Sequence, residues 1–133
     1  MSIERVEHEG ETIALIVRGD FEEEGAKFFT NDDNPLQLGV INQKAGQETQ
    51  PHVHREREVA IKSIQEVVHV DRGRALVKFY TRDGNKVGSR ILERGDTILL
   101  MNGGHGFRML EDTRLVEIKQ GPYDESNTVK IEV

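Results

Sequence analysis

Two histidines one residue apart carry the clearest chemistry in this chain of 133 residues. His52 and His54 flank Val53, and a third histidine, His105, lies far downstream in a glycine-rich stretch. In an extended strand, side chains two positions apart stand on the same face, so His52 and His54 can direct two imidazoles at one point. Imidazole is a common ligand of divalent transition metals. The spacing therefore predicts a metal site on a β-strand.

The composition excludes several other kinds of site. The chain has no cysteine, which rules out disulfides, thiolate zinc sites, iron–sulfur clusters and thiol nucleophiles. Its net charge is −6, with acidic and basic residues interspersed and no basic stripe of the kind that binds nucleic acid. The N-terminus is charged, and no stretch reaches the roughly 20 apolar residues that span a membrane. We expect a cytoplasmic protein whose partner is a small molecule rather than a nucleic acid or a membrane.

Short β-branched and apolar segments follow one another along the whole chain. Glycine, asparagine and acidic pairs separate them at intervals of roughly 8 to 12 residues, which is typical of a sandwich or barrel. The pattern predicts one all-β domain over residues 1–133. The predicted strands are Thr12–Arg18, Lys27–Thr30, Leu36–Asn42, Glu66–Val70, Ala75–Tyr80, Ser89–Leu92, Thr97–Met101, Phe107–Leu110 and Leu115–Gln120.

The connections between these segments are partly predictable. Asp83-Gly84 is a strong hairpin signal, because glycine supplies the positive φ that such turns need. Glu111-Asp112-Thr113 has the composition of a second hairpin turn. Phe21–Ala26 is the one helix candidate, and an irregular loop is an equal alternative.

Two segments resemble the motifs of the cupin superfamily. The first runs from Gly46 through five residues to His52 and His54, and then from Glu66 through six residues to Gly73. The second begins with Gly95-Asp96 and ends in His105. The resemblance covers about residues 36–121. It implies a cupin double-stranded β-helix, or jelly-roll barrel, extended by N-terminal strands, and a divalent metal held inside it by His52, His54, Glu66 and His105.

The sequence departs from the cupin pattern in both motifs. Eleven residues separate His54 from Glu66, where the family has three or four, so spacing alone selects Glu58 as the carboxylate ligand. The strand that begins at Glu66 and ends at Gly73 selects Glu66, with Val68 and Val70 on the same face. The second motif lacks the usual proline and is one residue shorter, yet His105 remains its only histidine.

Candidates for substrate binding and proton transfer lie beside the predicted ligands. Arg55 and Arg57 follow the histidine pair, and a guanidinium suits a carboxylate or phosphate, although Arg-Glu-Arg-Glu is equally typical of a solvated strand. Phe107 and Met109 follow His105 at strand period and are expected to line the pocket or the core. Glu117 and Lys119 share one strand face. If that face is the interior, they are an acid/base pair; if it is the exterior, they are a surface charge array.

The ligand set leaves metal and reaction open. Imidazoles with one carboxylate suit Fe, Mn, Ni, Co or Zn. Such an ion serves as a Lewis acid, which implies an isomerase, epimerase or lyase, or it activates O₂, which implies a dioxygenase. The chain resembles small cupins linked to polysaccharide and sugar-nucleotide metabolism, so we expect a small polar substrate, anionic or sugar-derived. The alternative is a non-catalytic ligand-binding cupin with a structural or adventitious metal. We also expect a homodimer, with the strand Thr12–Arg18 as the candidate for pairing across its interface.

Overall fold

The computed structural model describes residues 2–133 and contains ten β-strands, one turn of 3₁₀ helix and, within that range, no α-helix. The strands are β1 (Ile3–His8), β2 (Glu11–Val17), β3 (Gly25–Phe28), β4 (Gly39–Asn42), β5 (Glu66–Arg72), β6 (Arg74–Tyr80), β7 (Lys86–Glu93), β8 (Thr97–Leu100), β9 (Gly104–Met109) and β10 (Arg114–Lys119), and the 3₁₀ turn is Glu125–Asn127. The protein is therefore all-β, as predicted. No helix among the described residues has the length and apolar character needed to cross a membrane.

The chain forms two compact units. The first comprises the N-terminal segment up to Phe21 together with Ser63–Val133, and the second is Glu22–Lys62.

The first unit contains two antiparallel sheets. Five strands pair in the order β1-β2-β8-β5-β10, and three strands pair in the order β7-β6-β9. Strands β10 and β9 each form one edge of their sheet. These hydrogen-bonded sheets remain separate, so the structure shows an antiparallel two-sheet arrangement and no closed barrel among the described residues.

Alternation along the strands places one face of each sheet in a common core. In β5, Val68 and Val70 are buried and the residues between them are less so. In β6, Val77 and Phe79 are fully buried. Because side chains in a strand alternate between faces, these residues pack with apolar side chains of the other sheet. The buried cluster comprises Val6, Ile13, Ala14, Ile16, Val68, Val70, Val77, Phe79, Leu92, Ile98 and Leu100.

A buried carboxylate fixes the turn between β7 and β8. Asp96 is only 5% exposed, and its oxygens accept from Arg18 Nη1 (3.0 Å), from the Gly19 amide (2.8 Å) and from the Glu93 amide (2.7 Å). Gly95 beside it has φ +92°, a conformation that favours glycine. The Gly95-Asp96 pair therefore joins this turn to the end of β2.

The second unit is a short hairpin followed by an irregular segment. Strands β3 and β4 pair from Gly25 opposite Asn42 to Phe28 opposite Gly39. The Phe28 ring lies directly over Gly39, where a Cβ would lie 2.6 Å from its Cδ2 atom. Residues 51–61 belong to no strand or helix and are all exposed.

All nine predicted strands are present, with ends shifted by a few residues, and four local points need correction or completion. Of the two alternatives for Phe21–Ala26, the irregular loop holds for residues 21–24 and the helix is wrong; β3 begins at Gly25. Strand β1 was not predicted, since Val6 is its only buried side chain. The turn Glu111–Thr113 is not a hairpin, because it links β9 to β10 in the other sheet. The segment Thr12–Arg18 forms β2, which is paired on both sides within the chain and is therefore not free to pair across a dimer.

Candidate functional site

Two of the predicted metal ligands, one from each sheet of the first unit, are in contact. Glu66 is the first residue of β5, and His105 is the second residue of β9. His105 Nε2 lies 2.5 Å from Glu66 Oε1. The Glu66 side chain is 12% exposed and that of His105 is 31% exposed. Thirty-nine positions of sequence separate these residues, and the packing of the two sheets brings them together.

Strand β10 adds an acid and a base to this contact. Lys119 pairs with Glu66 and Glu117 with Val68 in the β10–β5 register, so both stand on the same face as Glu66. Lys119 Nζ lies 3.6 Å from Glu66 Oε2 and 3.7 Å from Glu117 Oε2. We call Glu66, His105, Glu117 and Lys119 the charged cluster. The register places Glu117 and Lys119 on the face that also bears the buried Val68, and both side chains remain about half exposed.

The pKa values of the two carboxyl groups in the charged cluster are shifted in opposite directions. The hydrogen bond from His105 lowers the pKa of Glu66 to about 2, with smaller contributions from Glu117 and Lys119, and burial only partly opposes this. The pKa of Glu117 is raised, first by its hydrogen bond to Glu66 and then by burial and by the charge of Glu66. Of the two carboxyl groups, Glu66 therefore ionises first as the pH rises and Glu117 holds its proton to higher pH.

Phe107 and Met109 extend the same face of β9. The Phe107 and His105 rings meet edge to face, with centroids 6.0 Å apart, and Phe107 also packs against the core. Met109 is 46% exposed. Phe107 thus packs against the core and also contacts His105 of the charged cluster.

The other two predicted ligands lie together in the second unit. The His52 and His54 rings meet edge to face with centroids 5.2 Å apart, and His52 Nδ1 lies 2.9 Å from the Gln50 carbonyl oxygen. Their segment is irregular, so the expected strand is wrong, although the two imidazoles are neighbours as predicted. Arg55 and Arg57 occupy the same exposed segment, as does the alternative ligand Glu58.

Imidazole and carboxylate groups suit a divalent ion, and the four predicted ligands lie in two pairs, Glu66 with His105 and His52 with His54. Among residues 2–133, no group of three or more histidine or carboxylate side chains is placed to hold a metal ion. Metal–nitrogen and metal–oxygen bonds are about 2.1 Å long, so two neighbouring donors on one ion lie roughly 3 Å apart. Glu66 Oε1 and His105 Nε2, at 2.5 Å, would have to separate slightly to share an ion. The distance is close to what an ion requires.

A hydrogen bond between Gln65 and Gln120, beside the charged cluster, was not predicted from the sequence. The Gln120 side-chain carbonyl oxygen accepts from the Gln65 amide at 2.8 Å, which joins the residues immediately beyond Lys119 and before Glu66. Gln65 is 3% exposed. One indication of this contact was present in the sequence: Gln65 is adjacent to the predicted ligand Glu66, and Gln120 is adjacent to Lys119.

Comparison with known proteins identifies no relative: no family model, no curated protein and no solved structure matches this chain.

Proposed function

We propose that this protein is a metal-binding cupin that acts as a metal-dependent enzyme on a small polar substrate, anionic or sugar-derived. The observation that carries the proposal is the contact between Glu66 and His105, because residues chosen from two separate sequence motifs meet in the fold.

In this proposal Glu66 and His105 of the first unit hold a divalent ion; His52 and His54, the other two ligands that the cupin resemblance implies, lie in the second unit. Neutral imidazoles with one carboxylate suit Fe, Mn, Ni, Co or Zn. When bound, such an ion supplies Lewis-acid chemistry to a carbonyl or enediolate, or a site for O₂. The first chemistry corresponds to an isomerase, epimerase or lyase and the second to a dioxygenase.

The residues around Glu66 supply proton transfer and charge. The pKa of Glu117 is raised by its hydrogen bond to Glu66, so of the two carboxyl groups it is the one suited to exchange a proton as a general acid or base. The Lys119 ammonium group lies within 4 Å of both carboxyl groups and limits the repulsion between them when both are charged. Phe107 bounds this region with an apolar ring, with Met109 next along the face.

The substrate-binding role rests on Arg55 and Arg57. Both are exposed, and within residues 2–133 neither guanidinium has an ion pair or hydrogen bond that would occupy it. A planar guanidinium can bind a carboxylate or phosphate through two parallel hydrogen bonds. An anionic or phosphorylated sugar derivative suits these side chains.

Elemental analysis of protein purified without a metal-chelating column tests the proposal. We expect about one transition-metal ion per chain in the wild type and a strong loss in His105→Ala, because one ligand of a small set is gone. His69→Ala is the matched control, since the His69 ring binds the Thr97 hydroxyl at 2.8 Å on the other face of β5. Wild-type protein that contains no metal, or equal content in both variants, would refute the proposal.

The internal pairing of the charged cluster favours a second candidate, a non-catalytic ligand-binding protein. Both Glu66 oxygens already have protein partners, Oε1 with His105 and Oε2 with Lys119. A cluster satisfied in this way is stable without an ion. A thermal-shift screen with sugars, sugar phosphates and oxo-acids, with and without chelator, separates the two candidates. A ligand that stabilises chelator-treated and untreated protein equally supports the non-catalytic function.

A further inference from the structure

Strand β10 forms an exposed edge of the five-stranded sheet. It pairs with β5 on one side, and Val116 and Ile118, on its face away from the core, are 40% and 60% exposed. An edge strand that presents apolar side chains and free backbone groups is a template for another strand. The opposite edge, β1, has no exposed large apolar side chain and is interrupted in mid-strand by a bulge after Val6. Strand β10 is therefore the edge of this sheet that is suited to pairing.

The hydrogen bonds of β5 determine which backbone groups of β10 are at the free edge. The amide and carbonyl groups of Val70 both bond to the turn before β8, at 2.9 and 2.8 Å. In an antiparallel ladder this direction alternates along the strand, so the odd-numbered residues of β5 bond to β10. The Gln65 carbonyl accepts from the Gln120 amide in this way. Even-numbered residues of β10 therefore bond to β5, and the backbone groups of Glu117 and Lys119 point outward at the free edge.

Charge selects one register for pairing of β10 with β10 of a second copy of this chain. In an antiparallel pair with two-fold symmetry, one residue of the strand faces its own counterpart at the axis. An axis at Glu117 or at Lys119 would oppose like charges, which is destabilising. An axis at Val116 would place Lys119 opposite Thr113 and pair no opposite charges. An axis at Ile118 places Glu117 of each copy opposite Lys119 of the other.

We propose that two copies of this chain pair through β10, antiparallel about a two-fold axis at Ile118, so that their five-stranded sheets form one continuous sheet. Each Glu117–Lys119 pair then exchanges both backbone hydrogen bonds through the groups at the free edge. The exposed Ile118 side chains pack against each other across the axis. Lys119 of each copy also lies beside Glu117 in the charged cluster of the other copy. This interface does not depend on metal binding.

Cysteine cross-linking tests the dimer and its register together, because the chain has no cysteine of its own. Ile118 faces its counterpart in a non-hydrogen-bonded pair, in which the Cα atoms are about 4.5 Å apart, and a disulfide spans that distance. Ile118→Cys, treated with chelator, is incubated in reduced and oxidised glutathione and analysed on a non-reducing gel. We expect most of Ile118→Cys to become a covalent dimer. Ile118 is exposed, so the substitution leaves the core intact.

Val116→Cys is the matched control, because Val116 is exposed on the same face of the same strand. In the proposed register Val116 faces Gln120 of the other copy, so the two Val116 Cα atoms are roughly 14 Å apart. That distance exceeds the reach of a disulfide, and we expect on the order of tenfold less covalent dimer than for Ile118→Cys. Equal cross-linking of the two variants, or more in Val116→Cys, would overturn the proposal.

Sedimentation equilibrium measures the role of charge without any cross-link. With chelator present, the wild type should be a dimer at micromolar concentration. Glu117→Lys should dimerise on the order of tenfold more weakly, because like charges then face each other on both sides of the axis. Glu125→Lys, which makes the same change of net charge outside β10, should dimerise like the wild type.

Two sedimentation results would contradict the proposed dimer. A monomeric wild type would overturn it and leave β10 to a strand of another protein. Equal dimerisation of Glu117→Lys and Glu125→Lys would overturn the register. Because every sample is free of metal, these outcomes leave the proposed metal binding untouched.

Discussion

Replacement of Glu66 by glutamine should remove the part of the pH dependence of the free energy of unfolding that comes from ionisation of Glu66. The pKa of Glu66 falls from 4.5 to about 2 in the folded protein. Each unit of pKa shift corresponds to about 1.4 kcal/mol, so ionised Glu66 contributes about 3 kcal/mol to the free energy of unfolding. Its side chain is 12% exposed, so solvent screening reduces this figure only slightly.

The sign follows from the direction of the pKa shift. A carboxyl group whose pKa is lowered by folding stabilises the protein above its unfolded pKa, and this contribution disappears as the pH falls through the folded pKa. Glu66→Gln should therefore be about 3 kcal/mol less stable than the wild type near neutral pH. The difference should shrink between the pKa values 4.5 and about 2, where wild-type Glu66 becomes protonated.

Urea unfolding of chelator-treated protein at a series of pH values gives this difference directly. Glu117→Gln is the internal control with the opposite sign, because the pKa of Glu117 is raised and its ionisation beside Glu66 is unfavourable. The stability of Glu117→Gln relative to the wild type should rise with pH, whereas that of Glu66→Gln should fall. A difference between Glu66→Gln and the wild type that does not change with pH would refute the electrostatic account of the cluster.

Three further predictions concern the core, the turn at Asp96 and the charge of Lys119. Phe79→Ala should lower the free energy of unfolding by about 3–5 kcal/mol, because Phe79 is fully buried between the sheets, and a loss below about 1 kcal/mol would contradict that packing. Asp96→Ala should cost about 3–5 kcal/mol, because it removes the acceptor of two backbone amides and one of the partners of Arg18, whereas the exposed Asp20→Ala should cost almost nothing. Equal effects of the two substitutions in urea unfolding would be inconsistent with the hydrogen bonds of this turn. Lys119→Met should raise the pKa of both Glu66 and Glu117, since the ammonium charge lowers both, and NMR titration of the two carboxyl carbons checks this; an unchanged pair of titrations would mean that Lys119 does not interact with them.

The strands were predictable because burial imposes a period of two on their sequences. In β5 the alternation that put Glu66 on the face of Val68 and Val70 holds in the structure. Strand β1 escaped prediction because Val6 is its only buried residue, so it leaves almost no periodic signal. The composition of Glu111–Thr113 correctly predicted a turn between β9 and β10. It did not predict that β10 joins the other sheet, because turn residues do not determine which strands pair.

The site was predictable in its residue types but not in its arrangement. Sequence motifs pointed to Glu66 and His105, which lie in different sheets and meet only through sheet packing. The orientation of Glu117 and Lys119 depended on the β10–β5 register, and a slip of one residue would reverse both.

Metal binding to the wild type, Glu66→Gln and the control His69→Asn tests the central claim most directly. Isothermal titration of chelator-treated protein with Mn, Fe, Co, Ni and Zn salts gives stoichiometry and affinity at once. We predict one ion per chain in the wild type and in His69→Asn, and an affinity at least about tenfold weaker in Glu66→Gln. Absence of binding by the wild type, or equal affinity in Glu66→Gln and His69→Asn, would contradict the claim that Glu66 and His105 belong to a metal centre.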